Sequence, residues 1–174
     1  MPIKIGINGF GRIGRNFYRA IAKQSAEMEI VAVNDLGDTE TMAHLLKYDS
    51  VHGNLENEIN AADNGIMIDG ELLQVLSERN PQDLPWGDLG VDVVIESTGI
   101  FTDREKAAMH LEAGAPLVIV SAPANGADAI LSSGLTIQIL TKLHTPLYLT
   151  RVARQIVLCQ WFRFLMMHLA LKKV

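Results

Sequence analysis

Three glycines near the start of the chain, Gly9, Gly11 and Gly14, stand at the spacing GxGxxG. Each glycine of such a motif answers a different demand. Gly9 permits a tight turn out of a strand. Gly11 has no side chain where a pyrophosphate must approach the backbone, and Gly14 lets a following helix pack closely against a sheet. The amides of Arg12 and Ile13 open that helix, where unpaired N–H donors and the helix dipole face an anion. Asp35 lies further along, somewhat beyond the usual ~20 residues from the glycines. Its carboxylate can accept both hydroxyls of an adenosine ribose and would repel a 2′-phosphate, which favours NAD over NADP. Cys159, the only cysteine, is the one thiol available for nucleophilic chemistry. Its neighbours Leu158, Gln160 and Trp161 point instead to inert packing. No metal-ligating cluster stands out, and no internal disulfide is possible.

The glycines count for little without elements to hold them. Lys4–Asn8 reads as a buried strand leading directly into Gly9. Phe17, Tyr18, Ile21 and Ala22 recur at helical spacing through about Lys23, and Glu29–Asn34 is a second, β-branched strand ending at Asp35. Strand, glycine turn, helix and strand in that order are the context a dinucleotide site requires.

Further elements follow. Thr39 is the expected N-cap of a short helix through Tyr48, with Met42, Leu45 and Leu46 on its apolar face. Asn60 to Gly70 reads as a polar turn region. Ile66–Ile68 and Leu72–Leu76 are its flanking strands, joined by Asp69-Gly70. Val91–Glu96 forms another buried strand, ending at Ser97-Thr98-Gly99. Asp103 to Ala113 reads as a helix stopped by Gly114, and Leu117–Val120 as a strand running into Ser121. Alternating strands and helices predict an α/β fold of the Rossmann type, doubly wound around a mostly parallel sheet. Ligands bind such sheets beyond the strand C-termini, where Asn8, Asp35, Ser97 and Ser121 all fall.

Composition divides the chain in two. All twenty acidic residues lie within 1–129, with nine Lys and Arg, for a formal charge of −11. Residues 130–174 carry six Lys and Arg, no acid and one glycine, for +6. The overall charge of −5 gives no support for nucleic-acid binding, which needs a basic face. The start of the chain, Met1-Pro2 followed at once by a strand, leads us to expect no signal peptide, and the lone cysteine makes a cytoplasmic location the default.

Several strings together resemble the glyceraldehyde-3-phosphate dehydrogenase family: INGFGRIGR at Ile7–Arg15, YDSVHG at Tyr48–Gly53, WGDLGVDVVIESTGIF at Trp86–Phe101 and SAPA at Ser121–Ala124. The resemblance covers Pro2 to about Ala129. It implies that Arg12 and Ile13 hold the pyrophosphate of NAD and Asp35 the adenosine ribose. It also places Arg79 by the adenine, and Thr98 and Ser121 along the path to the nicotinamide. One departure is Asn54, where many members carry arginine. The family oxidises an aldehyde through a cysteine thiolate activated by a histidine, with the nucleophile in a string like SNASCTTNC some distance after SAPA. No such string occurs here. His44, His52 and His110 have no candidate nucleophile near them in sequence and read as structural or surface residues.

The genetic code accounts for the missing string. Leu149 to Val157 can be written CTA ACG CGA GTT GCA CGA CAA ATT GTT. Read from one base earlier, after a Tyr148 codon ending in T, this becomes TCT AAC GCG AGT TGC ACG ACA AAT TGT, or SNASCTTNC. Gly134–Ile137, written GGG TTA ACC ATA, likewise contains GTT AAC CAT, the VNH that the family carries there. Loss of one base near the Ile130 codon would produce both. The expected organisation is therefore an NAD-binding domain over 1–129, an out-of-frame tail over 130–174, and no catalytic domain.

A catalytically inactive form, with no catalytic residue, follows from that organisation. The alternatives are a stand-alone NAD-binding module and a fragment of an erythrose-4-phosphate dehydrogenase. For the tail they are a basic membrane-surface segment around Ile156–Leu171 or a genuine completing helix. Without the strand after SAPA, a sheet face or edge is expected to lie uncovered. A tetramer, although the family forms oligomers, is not expected of a chain lacking the second domain.

Overall fold

The computed structural model describes residues 2–22 and 28–127, together with the backbone of 129–130 and 147–150. β1 (Ile3–Asn8) feeds α1 (Arg12–Ala22), which returns to β2 (Met28–Asn34). α2 (Thr39–Lys47) follows, then three strands, β3 (Ile59–Ala62), β4 (Gly65–Ile68) and β5 (Glu71–Leu76). β6 (Val93–Glu96), α3 (Arg104–Glu112) and β7 (Leu117–Val120) make the next crossover, with β8 (Ala129–Ile130) and β9 (Leu147–Thr150) beyond it.

The strands form one sheet in the order β3-β4-β5-β2-β1-β6-β7-β9-β8. β5, β2, β1, β6 and β7 run parallel to one another. β3 and β4 extend the sheet as antiparallel hairpins. The chain leaves β1 toward β2 on one side and later places β6 on the other. The crevice outside the C-termini of β1 and β6 is thus the topological switch point, where doubly wound sheets bind ligands.

Several local expectations need correction. The cap of α2 is Asp38, one residue before Thr39: its backbone is extended, and its carboxylate accepts the Thr41 N–H at 2.7 Å. The buried face of that helix is Met42, Ala43 and Leu46, while Leu45 faces outward. Residues 59–62 form a strand rather than part of a turn region, with Ile59 buried and Asn60 and Ala61 exposed on an edge. The Asp69-Gly70 turn stands as read, both residues having positive φ, as a tight two-residue hairpin demands.

The sheet edge beside β7 is not bare. β9 pairs with it in parallel, from Leu117 opposite Leu147 to Val120 opposite Thr150. β8 then pairs with β9. The expected end of α1 near Lys23, Cys159 and the 156–171 segment lie outside the described residues.

Apolar side chains fill both faces of the sheet. One cluster, including Ile5, Ile7, Phe17, Val33, Leu46 and Ile95, packs under α1 and α2. The other gathers Ala32, Val94, Val118 and Ala107 around Trp86. Gly6 explains how Trp86 fits. A Cβ there would lie 2.7 Å from the indole ring, so the bare backbone of β1 is the floor on which the ring rests.

Candidate cofactor site

The turn after β1 has the shape that its glycines require. Gly9 has φ +90° and its N–H donates to the Asn34 carbonyl at 2.8 Å. A Cβ on it would sit 2.6 Å from the Thr98 backbone nitrogen, so the segment after β6 lies directly against it. A Cβ on Gly14 would fall 2.3 Å from the Gly9 carbonyl oxygen, which fixes how close α1 comes to the turn. Gly11 differs from both. Nothing lies within 4 Å of where its Cβ would be, so it opens onto empty space beside the N-terminus of α1. There the first-turn N–H groups, those of Arg12 and Ile13 among them, have no acceptor within the helix.

Asp35 lies at the end of β2 and faces this turn. Its Oδ2 accepts the Phe10 N–H at 2.7 Å and its Oδ1 accepts the Gly37 N–H at 3.0 Å. Both oxygens are thereby oriented, and each retains a lone pair for a ligand hydroxyl.

Basic residues line the start of α1. The exposed Arg12 guanidinium lies 3.8 Å from Asp49. The N–H groups of His52 and Val51 hold the Asp49 carboxyl below the usual carboxylate range. Arg15 donates to the Phe10 carbonyl at 2.8 Å, and burial, reinforced by Arg12, pushes its pKa down. Arg19 is buried and donates to the carbonyls of Leu46, Lys47 and Gly53, tying the end of α2 and the Tyr48–Gly53 loop to α1. The YDSVHG string is thus a loop that delivers Asp49 to Arg12.

The other sequence-predicted residues surround the same crevice. Thr98 is half-buried, and its Oγ1 accepts the Ile100 N–H. Ser121 is half-buried at the end of β7, its N–H on the Glu96 carbonyl at 2.9 Å. Arg79 is exposed beyond β5. Asn8 is placed differently from a ligand-facing residue. It is 2% exposed, and its side chain is spent inside the protein: Oδ1 accepts from Asn34 at 2.7 Å and Nδ2 donates to Glu96 at 2.6 Å.

Asn8 leads to Glu96, whose role sequence reasoning missed, and to His110. Glu96 and His110 are 1% and 0% exposed. The Glu96 carboxylate accepts from Asn8, from His110 Nε2 at 3.0 Å, and from both the N–H and the hydroxyl of Thr98. Trp86 donates its indole N–H to His110 Nδ1 at 3.0 Å. An indole nitrogen has only a hydrogen to give, so Nδ1 must accept and Nε2 carries the ring proton toward Glu96. The contact of 3.3 Å between Asn8 Nδ2 and His110 Nε2 is therefore donor against donor. His110 is buried within this network, while His44 and His52 are exposed. The available signal was a glutamate closing the wholly buried strand Val93–Glu96, because a charge is rarely buried without partners.

Glycine turn, helix N-terminus, acidic residue at the end of β2 and switch-point crevice together define a dinucleotide-binding domain of the doubly wound class. Residues 3–104 match the model of the glyceraldehyde 3-phosphate dehydrogenase NAD-binding domain. The chain belongs to that family, and its cofactor is NAD. It is 57% identical over 135 residues to a glyceraldehyde-3-phosphate dehydrogenase of Streptomyces coelicolor, covering 78% of this chain and 40% of the relative. Enzymes of the same name from Geobacillus stearothermophilus and Thermotoga maritima are 56% and 50% identical, over 78% and 82% of this chain and 40% and 43% of theirs. The chain thus spans about two fifths of the length of these relatives. Among the described residues no helix is long and apolar enough to cross a membrane, and no three His, Cys, Asp or Glu side chains gather as a metal site would require.

Proposed function

We propose that residues 1–129 are the NAD-holding half of a phosphorylating glyceraldehyde-3-phosphate dehydrogenase, and that residues 130–174 are that enzyme's coding sequence read one base out of register. In this reading the 174 residues bind NAD and do not turn it over. Arg12 and Ile13 hold the pyrophosphate, Asp35 the adenosine ribose and Arg79 the adenine. Thr98 and Ser121 border the nicotinamide. The protein is cytoplasmic.

The observation that carries the cofactor assignment is the open space at Gly11, between crowded Gly9 and Gly14 and in front of the free amides of α1. The frame assignment is carried by the codons open to Leu149–Val157, which can spell the family's nine-residue nucleophile string from one base earlier. Two facts support it independently: the tail has no acids, and its lone thiol, Cys159, does not lie in the family's motif.

The test is to sequence the gene from the codon for Asp128 through that for Val157 and to assay the 174-residue product with glyceraldehyde 3-phosphate, phosphate and NAD. We expect one additional base there to restore the family's string, and the product as written to form no NADH. NADH formation by the purified chain would overturn the inactive reading. A tail codon usage incompatible with SNASCTTNC would overturn the frame assignment.

A further inference from the structure

Beneath the crevice runs a continuous chain of hydrogen bonds, buried at its centre, that no cofactor contact explains. At one end the Glu78 N–H donates to Asn34 Oδ1 at 2.8 Å, and Asn34 Nδ2 returns to the Glu78 carbonyl at 2.9 Å. Asn34 Nδ2 also donates to Asn8 Oδ1, Asn8 Nδ2 donates to Glu96 Oε2, and Glu96 Oε1 accepts from Thr98. Glu78 leads directly into Arg79, and Thr98 packs against Gly9. The chain therefore joins the two walls of the crevice from below.

The polarity of every link is locked. A backbone N–H only donates and a carbonyl only accepts, so Glu78 dictates which way the Asn34 amide faces. Asn34 then dictates the orientation of Asn8. From the other side, the Trp86 indole dictates the ring tautomer of His110. Glu96 consequently meets hydrogens at both of its oxygens and must accept at each. Only a carboxylate can do so without leaving donor against donor.

From this we infer that Glu96 is a positioning residue, coupling the Glu78–Arg79 wall to the Ser97–Thr98 wall through Asn8 and Asn34. The inference rests on the cofactor reading only for what the walls hold. The coupling itself belongs to the unliganded protein.

Glu96→Gln tests it in the full chain. The variant keeps the shape but turns an NH2 against either Thr98 or the Asn8–His110 pair, and relief requires amide flips that reach Glu78. We expect backbone amide exchange to accelerate about tenfold or more at Thr98 and also at Glu78, with the amides of Ile7 and Val94 changing less than about twofold. AMP and NAD should both bind more weakly. Thr98→Val, which leaves Glu96 an acceptor, should weaken NAD alone.

Asn34→Asp is the check from the opposite end. It should accelerate exchange at Thr98, because coupling is reciprocal, and it serves if Glu96→Gln does not fold. An effect confined to Thr98 in Glu96→Gln would overturn the coupling, as would uniform acceleration of all amides. Failure of wild-type chain to bind AMP or NAD would overturn the cofactor reading while the exchange data still decide the coupling.

Discussion

Gly9, Gly11 and Gly14 carry the same residue type for opposite reasons, and the space around each decides what a methyl group would do. At Gly9 an alanine meets the Thr98 backbone at 2.6 Å with φ at +90°. Neither partner can yield without moving a strand end, so Gly9→Ala should lose about 2 kcal/mol or more of stability in urea melts. Gly11 faces open space, so Gly11→Ala should melt within about 0.5 kcal/mol of the parent. Its methyl group instead occupies the approach to the α1 amides. Calorimetric titration should then show NAD affinity reduced by about tenfold or more, ~1.4 kcal/mol. Equal stability losses at the two positions would contradict this division.

At the scale of elements, capping shows how sequence signals compete. Asp38 and Thr39 are both good N-caps. Asp38 takes the position because its carboxylate reaches the Thr41 N–H three residues on, and Thr39 becomes the first residue of α2. That backbone N–H holds the Asp38 carboxyl below its ordinary value of 3.8. A carboxyl whose pKa is lowered by folding stabilises the folded state above its unfolded pKa and loses that contribution as pH falls through the folded value. Asp38→Ala should therefore lower the melting midpoint by about a few degrees at neutral pH. The gap from the parent should shrink below pH 3.8. A gap that persists undiminished in acid would contradict the cap assignment.

The parallel strands were legible from sequence because buried strands are short apolar runs, as Leu117–Val120 is. β3 was not, because Asn60 and Ala61 of an exposed edge resemble a turn. The buried network escaped for a different reason. Asn8, Asn34, Trp86, Glu96 and His110 lie in five separate places along the chain, and only the folded sheet brings their polar atoms together.

For the whole molecule, the main departure from expectation is at the sheet edge. A sheet ending at β7 would present unpaired N–H and C=O groups to solvent. β9 covers that edge in parallel register although its residues come from the stretch assigned as out of frame. If that pairing contributes to folding, a chain ended after Ala127 should unfold at lower urea and scatter more light than one ended after Thr150. Identical behaviour of the two would mean that the sheet closes adequately at β7.

The cofactor assignment stands on the crevice between β1 and β6, the open Gly11 and the carboxylate of Asp35. Isothermal titration of the 174-residue chain with NAD and NADP, beside Gly11→Ala, tests it most directly. NAD should bind in the micromolar range, NADP at least about tenfold more weakly because Asp35 repels its 2′-phosphate, and Gly11→Ala should lose most of the NAD affinity. No detectable binding, or binding indifferent both to the 2′-phosphate and to a methyl group at Gly11, would contradict it.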